Sequence, residues 1–189
     1  DSPKKATLSP PSPAWKKKMN LEQYKVHLTK PVRPRTLVFL IKPNQNQVLL
    51  VEKKRGFGKG NFVGVGGKVE LGESITDAAA REVKEEIQSI VTTKSLTQVA
   101  TLIFFFSHIS DESWNQAVHV FTTGQWSGEP AETEEVKPSW FKTTNLPFEN
   151  MWDDAHYWLP LILSGKKLQT AEFLFDENLL VTDHKLIVQ

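Results

Sequence analysis

Runs of apolar residues along the chain have the length and β-branched composition typical of strands. The first two runs are separated by the four residues PNQN at 43–46, which predicts a hairpin. Pro138 predicts that its run is an edge strand, because proline cannot donate a ladder hydrogen bond. The runs that predict strands span 35–42, 47–54, 97–108, 117–126, 136–141, 171–176 and 179–188.

Two further segments have helical boundaries. One spans 75–88, with Ser74 or Thr76 as its N-cap, and the other spans 153–165 and ends at Gly165. Strands that alternate with helices predict an α/β sandwich around a mixed sheet. Residues 1–20, with four prolines and five lysines, predict a flexible tail, or a targeting segment as the alternative. Residues 21–189 are then expected to form one domain.

The segment 75–88 places acidic residues next to its apolar side. On a helical wheel Val83, Ile87 and Ile90 form the apolar arc, and Glu82 and Glu86 flank it. Glutamates that are merely solvated should lie opposite the core, although the run EVKEE is also good surface-helix sequence. The solvent-facing side carries Asp77, Arg81, Lys84 and Gln88.

Composition and charge remove several classes of partner. The net charge is +1, so charge alone predicts neither a nucleic-acid nor a membrane partner. The chain has no cysteine, which excludes disulfides and thiolate zinc sites. No apolar run approaches the roughly 20 residues of a membrane span, and no signal peptide is visible. We therefore expect an intracellular protein.

Three carboxylates on one helix need a positive partner. Glu82, Glu85 and Glu86 would repel one another and take up protons unless a cation joined them. Mg²⁺ prefers oxygen ligands and shares its shell with water and substrate phosphates. The segment 55–68 contains six glycines and offers backbone groups to phosphates or to a metal. This combination predicts metal-assisted attack of water on a phosphoanhydride.

The same segment resembles a known sequence motif. Gly67, five further residues, Glu73, seven further residues and then the run REVKEE are similar to the Nudix box, G-x5-E-x7-R-E-U-x-E-E-x-G-U. The resemblance implies the Nudix α/β/α sandwich around a mixed β-sheet and catalysis with Mg²⁺, or Mn²⁺ as the alternative. It further implies that Glu82, Glu85 and Glu86 are catalytic and bind the metal, and that Glu73 and Arg81 form an ion pair. Gln88 and Ser89 depart from the motif, which has Gly and an aliphatic residue there.

The resemblance extends over about 35–189 and is strongest to animal MutT homologues, which hydrolyse oxidised purine nucleoside triphosphates such as 8-oxo-dGTP to the monophosphate and pyrophosphate. It rests on the segments KKRGFGKG, GGKVELGE, VHVF, PSWF and PFENMWDDAHYW. It implies that the Gly66 carbonyl and Glu135 are further metal ligands. The positions implied to bind substrate are Lys53 at the pocket mouth, Gly67 and Lys68 at the phosphates, and Thr36, Phe57 and Trp152 in the pocket wall. Core packing is the alternative for Phe57 and Trp152, solvation is the alternative for Glu135, and core packing is preferred for Trp140 and Trp158.

The base-recognition positions depart from this pattern. Val63 stands where the family has an asparagine, and Asp154 and Ala155 stand where it has a pair of aspartates. A shift of one residue would let Asp153 and Asp154 form the pair, or either could cap the following helix. The sequence therefore predicts an enzyme for oxidised or modified purine nucleotides, of the 8-oxo-dGTP or 2-oxo-dATP type, that is less selective for 8-oxo-dGTP than its relatives.

Two other functions stay open at this stage. One is hydrolysis of a different nucleoside diphosphate-X compound, and the other is a nucleotide-binding module without turnover. In each case the expected partner is a small nucleotide, with no nucleic acid or membrane. We expect a monomer in the cytoplasm, with the nucleus and mitochondria as further compartments.

Overall fold

The computed structural model describes residues 19–189. The predicted tail lies outside the described residues except for its last two positions. Asn20 is the N-cap of a short helix that sequence analysis did not predict, and its side chain accepts a hydrogen bond from the Gln23 amide. The helices are α1 (Leu21–Lys25), α2 (Ile75–Ile87) and α3 (Ala155–Leu163). The strands are β1 (Arg33–Lys42), β2 (Gln47–Lys53), β3 (Phe62–Val63), β4 (Thr97–Phe106), β5 (Gln116–Thr123), β6 (Val136–Lys142), β7 (Leu168–Phe175) and β8 (Val181–Val188).

The strands form a mixed sheet in the order β3-β2-β1-β5-β4-β7-β8, with β6 paired to β2. The pairs β1–β5 and β4–β7 are parallel, and the other pairs are antiparallel. The predicted hairpin between β1 and β2 is confirmed, although the two strands pair directly only at Ile41–Val48 and Lys42–Gln47. Within the described part of the chain β6 pairs with β2 alone, which confirms the edge strand expected from Pro138.

Helices cover both faces of the sheet. Alternate residues of β1 and β2 point to opposite faces, as the pleat of a strand requires. Val38 and Leu40 pack with Val83 and Ile87 of α2, whereas Phe39 packs in the cluster that contains α3. Helix α1 packs through Leu21 and Tyr24 against Phe105 of β4 and Leu174 of β7. This arrangement confirms the predicted α/β/α sandwich.

The end of α2 differs from its prediction. The helix ends at Ile87, because Gln88 adopts a left-handed conformation with φ of 59°. Gln88 thus fills the position where the motif has glycine, at a cost of about 1–2 kcal/mol for a residue with a Cβ. Ile90 lies beyond the helix and is 54% exposed, so its assignment to the apolar arc was wrong. Ser89 is buried and donates to the Gly128 carbonyl at 3.2 Å.

Candidate active site

The start of α2 is fixed by its cap and by the loop that precedes it. The Ser74 hydroxyl accepts a hydrogen bond from the Asp77 amide at 3.1 Å, which confirms Ser74 rather than Thr76 as the N-cap. Upstream, Val65 and Gly67 run beside β1, where their carbonyls accept from the amides of Val38 and Thr36 at 2.6 and 2.9 Å. These contacts fasten the glycine-rich loop to the sheet beside α2.

Gly66 and Gly67 lie where a side chain would not fit. A Cβ on Gly66 would stand 2.0 Å from the Thr36 carbonyl oxygen, and one on Gly67 would stand 2.4 Å from Glu82 Oε1. The Gly66 amide donates to Glu86 Oε2 at 3.0 Å. The absence of side chains therefore lets the loop backbone contact the carboxylates of α2 directly.

Arg81 connects the loop to the acidic helix. Its Nε and Nη2 atoms donate to the two carboxylate oxygens of Glu73 at 2.8 and 3.0 Å, which confirms the predicted ion pair. The guanidinium also contacts Glu82 and Glu85, at 3.1 and 2.9 Å, and the Lys68 carbonyl at 2.9 Å. The contacts with Glu73, and then with Glu82 and Glu85, raise the pKa of Arg81, although burial opposes this. One arginine therefore holds the loop and neutralises part of the acidic cluster.

Burial shapes the electrostatics of Glu82 and Glu86. Burial raises the pKa of Glu86 to about 7, and the charges of Glu82 and Glu135 add to this, while the Gly66 amide and Lys53 oppose it. Burial also raises the pKa of Glu82, against the contacts with Arg81. Two half-buried carboxylates under mutual repulsion form a site that attracts a cation.

The other two proposed carboxylate ligands point to arginines. Glu85 is 57% exposed and pairs with Arg81, and Glu135 is 53% exposed and pairs with Arg55. In the part of the chain that the structure describes, no group of three Asp, Glu, His or Cys side chains is arranged to hold a metal ion.

The residues nevertheless fit a hard divalent cation. The donors are carboxylate oxygens, which Mg²⁺ and Mn²⁺ prefer. Burial raises the pKa of Glu82 and of Glu86, so each carboxyl tends to bind a proton, and a divalent cation could take the place of those protons. The contacts of Glu85 with Arg81 and of Glu135 with Arg55 are exposed ion pairs, which contribute little free energy and exchange readily. An incoming cation can therefore compete for both carboxylates.

A cavity of about 350 Å³ adjoins this cluster. It is lined by Glu86 of α2, which we call the carboxylate helix, by residues of the loop before that helix and by residues of the segment before α3. The predicted site residues that line it are Thr36, Lys53, Phe57, Val63, Gly66, Gly67, Glu86, Trp152 and Asp154. One continuous space therefore joins the proposed phosphate and base positions.

Two predicted substrate-binding residues do not line the cavity. Lys68 is exposed, and its backbone pairs with that of Arg35 in an isolated antiparallel β-bridge. The Asp153 carboxylate accepts a hydrogen bond from the Val181 amide at 2.8 Å, so it ties the start of α3 to β8. The one-residue shift that would make Asp153 and Asp154 a pair in the pocket is thus not observed.

Asp154 is buried beside the cavity. Its Oδ2 atom accepts a hydrogen bond from Trp158 Nε1 at 2.7 Å, and it makes no capping hydrogen bond to α3. Burial raises the pKa of Asp154 to about 6, although the Trp158 contact opposes this. Ala155 also lines the cavity, at the position where a second acid was expected from the family pattern. The cavity therefore presents one buried acid flanked by a methyl group.

Aromatic rings form the rest of the wall. Phe57 stacks on Trp152 with ring centroids 5.0 Å apart and an angle of 29°. Phe57 is 50% exposed, so core packing does not explain it. Trp158 is buried against Phe39, as expected for a core residue. Trp140 is partly buried beside Trp126, which also agrees with packing.

Sequence analysis missed several residues that line the cavity. Phe104 and Phe106 lie two apart on β4 and therefore point to the same face. That spacing was visible in the sequence, but it did not reveal which face meets the cavity. Arg35 and Gln116 lie on the parallel strands β1 and β5 and had no distinguishing signal beyond a polar residue near a strand end. The pairing of distant strands brings these residues together.

Comparison with known proteins agrees with this geometry. The family model of the NUDIX domain matches residues 31–162 of this chain. The chain belongs to the Nudix hydrolase family, whose members use divalent metal ions. It is 40% identical over 151 residues to the oxidized purine nucleoside triphosphate hydrolases of Danio rerio and of Mus musculus, and in each case the match covers 80% of this chain and 92% of the relative.

More distant relatives place the chain within the same fold. An ADP-ribose pyrophosphatase of Methanocaldococcus jannaschii is 33% identical over 132 residues, which cover 69% of this chain and 73% of that protein. The crystal structure of a MutT protein from Bacillus halodurans superposes with a TM-score of 0.70 at 22% identity, and covers 82% of this chain and 97% of that one. None of the helices formed by residues 19–189 is long and apolar enough to cross a membrane.

Proposed function

We propose that this protein is a Mg²⁺-dependent pyrophosphohydrolase of oxidised or modified purine nucleoside triphosphates. Water attacks a phosphoanhydride, the P–O bond to the leaving group breaks, and the products are a nucleoside monophosphate, pyrophosphate and a proton. The observation that carries this proposal is the single cavity lined by Asp154 and Trp152 and also by Gly66, Gly67 and Glu86. The 40% identity to two oxidized purine nucleoside triphosphate hydrolases supports the substrate class. Its role would be sanitation of the nucleotide pool.

The base is bound by stacking and by one acid. Trp152 and Phe57 offer aromatic faces to a purine, and such pairs contribute about 0.5–1.5 kcal/mol beyond their buried area. Asp154 supplies the hydrogen bond to the base edge. Val63 and Ala155 present apolar groups to the same space, so a polar base edge aimed at either lacks a partner.

The phosphates lie toward the carboxylate helix. Lys53 lines the cavity and carries a charge opposite to the phosphates, and the backbone of Gly67 allows close approach. Lys68 lies outside the cavity, so its part is limited to the rim of the phosphate site. The fixed loop positions the triphosphate, and positioning supplies much of the catalysis in phosphoryl transfer.

The metal site is proposed to consist of Glu82, Glu85 and Glu86, completed by the Gly66 carbonyl and Glu135. Held by these residues, Mg²⁺ or Mn²⁺ would neutralise charge on the phosphates and would make a bound water more acidic. Arg81 contacts Glu82 and Glu85, and it joins α2 to the loop through Glu73. Arg55 contacts Glu135.

Product identification tests the proposed function. The protein is incubated with Mg²⁺ and 2-oxo-dATP or 8-oxo-dGTP, and the products are separated by ion-exchange chromatography. We expect the nucleoside monophosphate and pyrophosphate in equal amounts, and no product when EDTA is present. Release of inorganic phosphate and a diphosphate, or tight nucleotide binding without turnover, would contradict the proposal.

A second candidate is hydrolysis of another nucleoside diphosphate-X compound. It is favoured by the 33% identity to an ADP-ribose pyrophosphatase and by the apolar Val63. The same assay with ADP-ribose, nucleotide sugars and dinucleoside polyphosphates separates the two candidates. Higher kcat/KM on one of these compounds than on every purine triphosphate would favour the second.

The proposed partners are limited to the small-molecule nucleotide, with no nucleic acid or membrane. A monomer in the cytoplasm, with additional pools in the nucleus or mitochondria, is the proposed state. Light scattering of the purified protein and imaging of a tagged full-length chain test these two points.

A further inference from the structure

A third aromatic ring stands beside the stacked pair at the cavity. Trp114 meets Phe57 edge-on, with ring centroids 5.3 Å apart and an angle of 89°, and it also contacts Phe106 at 6.4 Å. Phe57 and Phe106 line the cavity, whereas Trp114 stands behind them. Phe57 and Trp114 are 50% and 36% exposed, so both rings reach the protein surface. We call Phe57, Trp114 and Trp152 the aromatic rim.

The backbone around Phe57 gives it little support of its own. Gly56, Gly58 and Gly60 all have positive φ, between 73° and 88°, a region that glycine enters freely. A Cβ on Gly58 would stand 2.7 Å from the Trp152 ring, so the loop packs on Trp152 at that point. The direction of the Phe57 ring is therefore set by Trp152 on its face and Trp114 at its edge.

Trp114 is held in turn by the chain before the matched domain. It closes a short 3-10 helix at Glu112–Trp114. Glu112 is only 9% exposed, and its Oε2 atom accepts from the Thr29 amide at 2.8 Å, the Thr29 hydroxyl at 3.0 Å and the Lys30 amide at 2.9 Å. A buried carboxylate with three donors fixes both segments, because losing either side leaves polar groups unpaired.

Asn115 makes a second connection to the same segment. Its Oδ1 atom accepts from the Phe106 amide at 3.0 Å, and its Nδ2 atom donates to the Tyr24 hydroxyl at 3.3 Å. Tyr24 belongs to α1 and is buried against Phe105. Tyr24, Thr29 and Lys30 all precede residue 31, where the domain match begins. The position of Trp114 thus depends on a part of the chain outside that match.

We propose that Trp114 is a positioning residue for base binding, which acts through Phe57, and that residues 20–30 hold it in place through Glu112 and Asn115. The inference rests on the proposed function, since it assumes that a purine enters this cavity. The segment before the domain is then part of the binding machinery rather than an appendage.

Steady-state kinetics with 2-oxo-dATP and Mg²⁺ tests the proposal. Trp114→Ala should raise KM by about 2- to 10-fold, the effect of losing one aromatic contact, while kcat changes less than about twofold. The Mg²⁺ concentration for half-maximal rate should be unchanged, because the rings that Trp114 contacts, Phe57 and Phe106, are not among the proposed metal ligands. Trp114→Phe should have a KM close to that of the wild type, because an aromatic ring is kept. Glu112→Gln should raise KM by a smaller factor than Trp114→Ala does.

Trp126→Ala is the matched control. Trp126 packs on Trp140 with ring centroids 5.6 Å apart and belongs to the cluster under α2. Its replacement should lower Tm without raising KM, which separates a general loss of packing from loss of the rim. If Trp114→Ala does not fold, Trp114→Leu keeps apolar volume without the ring and should show the same rise in KM.

The outcomes distinguish this inference from the function on which it rests. Wild-type turnover together with an unchanged KM in the Trp114 variants would overturn the role of Trp114 alone. A KM that rises equally in Trp126→Ala would overturn it as well. Absence of wild-type turnover on any purine triphosphate would overturn the proposed function, and the inference with it.

Discussion

The two halves of the cavity differ in how their side chains are held. At the carboxylate half, Arg81 alone joins Glu73, Glu82 and Glu85 and the Lys68 carbonyl, and two glycines lie against Glu82 and Glu86. At the base half, one buried acid and a set of aromatic rings line a largely apolar space. The first half follows its family motif closely. The second half has Val63 and Ala155 at the positions where the resemblance implies an asparagine and a second aspartate.

The difference indicates that chemistry and selectivity are separable in this fold. Apart from Glu135, the proposed carboxylate ligands and their loop come from one continuous segment, 66–86, so their geometry depends mostly on local structure. The base-binding residues come from β1, β3, the loop 54–61 and the segment before α3. Substitutions there can change the base that is read while the hydrolytic half keeps its arrangement.

The largest expected effect belongs to the carboxylate half. Glu86→Gln should lower kcat by at least about 10²-fold, because it removes a charged ligand from the proposed metal site. Glu82→Gln should have nearly the same effect, and both variants should stay folded, since like charges on α2 are reduced. The control is Glu134→Gln in the loop beside Glu135. Near-normal turnover of either helix variant at saturating Mg²⁺ would remove that residue from the site.

The acid at the base half should be visible in the pH dependence of stability. Folding raises the pKa of Asp154 from 3.8 to about 6, so the folded protein holds this proton more tightly than the unfolded chain. The contribution of Asp154 is therefore favourable below about pH 4 and is lost as pH rises through about 6. Denaturant unfolding should show wild type losing about 2 kcal/mol relative to Asp154→Asn between pH 4 and pH 7. Parallel stability curves would contradict the burial of an ionisable acid there.

The Arg81 network should couple stability to activity. Arg81→Ala should lower Tm and reduce kcat/KM by roughly 10-fold, because the loop that carries Gly66 and Gly67 loses its anchor. Glu73→Ala should act in the same direction, and the double variant should lose less than the sum of the two. Unfolding measurements on all four proteins give the coupling. Strict additivity would mean that the pair at 2.8 Å does not stabilise the site.

The smallest predicted effect is a change of base preference. Val63→Asn combined with Ala155→Asp restores polar groups where the family has them, and should shift kcat/KM toward 8-oxo-dGTP over 2-oxo-dATP by roughly 5-fold or more. Both kcat values should stay within a few-fold of wild type, because the carboxylate half is unchanged. An unchanged ratio would show that these two positions do not read the base.

The carboxylate half of the cavity was more predictable from the sequence than the base half. Helix α2 and its cap, with Ser74 as one of two candidates, follow from residues close in sequence, whereas the pair of Glu73 and Arg81 was implied by the resemblance to the Nudix box. The structure confirms the helix, Ser74 as its cap, and the pair. The sequence did not show that Gln88 adopts the left-handed conformation that ends the helix. Ile90 therefore lies beyond the helix and is exposed, so its position on a helical wheel does not describe its surroundings.

The base half was less predictable because distant segments build it. Asp153 and Asp154 are neighbours in sequence, yet Asp153 accepts a hydrogen bond from β8 and Asp154 accepts one from Trp158. The packing of α3 against the sheet determines which partner each carboxylate meets. Arg35 and Gln116 meet the cavity because β1 and β5 pair in parallel. Helix α1 begins directly after the predicted tail and was not predicted, since five residues with two apolar side chains give too short a pattern to detect.

The most direct test of the central claim compares kcat/KM of the wild-type protein on 2-oxo-dATP, 8-oxo-dGTP, dATP and dGTP with Mg²⁺. We expect metal-dependent release of pyrophosphate, a clear preference for 2-oxo-dATP over dATP, and only a modest preference for 8-oxo-dGTP over dGTP. Strong discrimination for 8-oxo-dGTP would contradict the reading of Val63 and Ala155. Failure to hydrolyse any of the four at saturating Mg²⁺ would contradict the separation of an intact hydrolytic half from an altered base half.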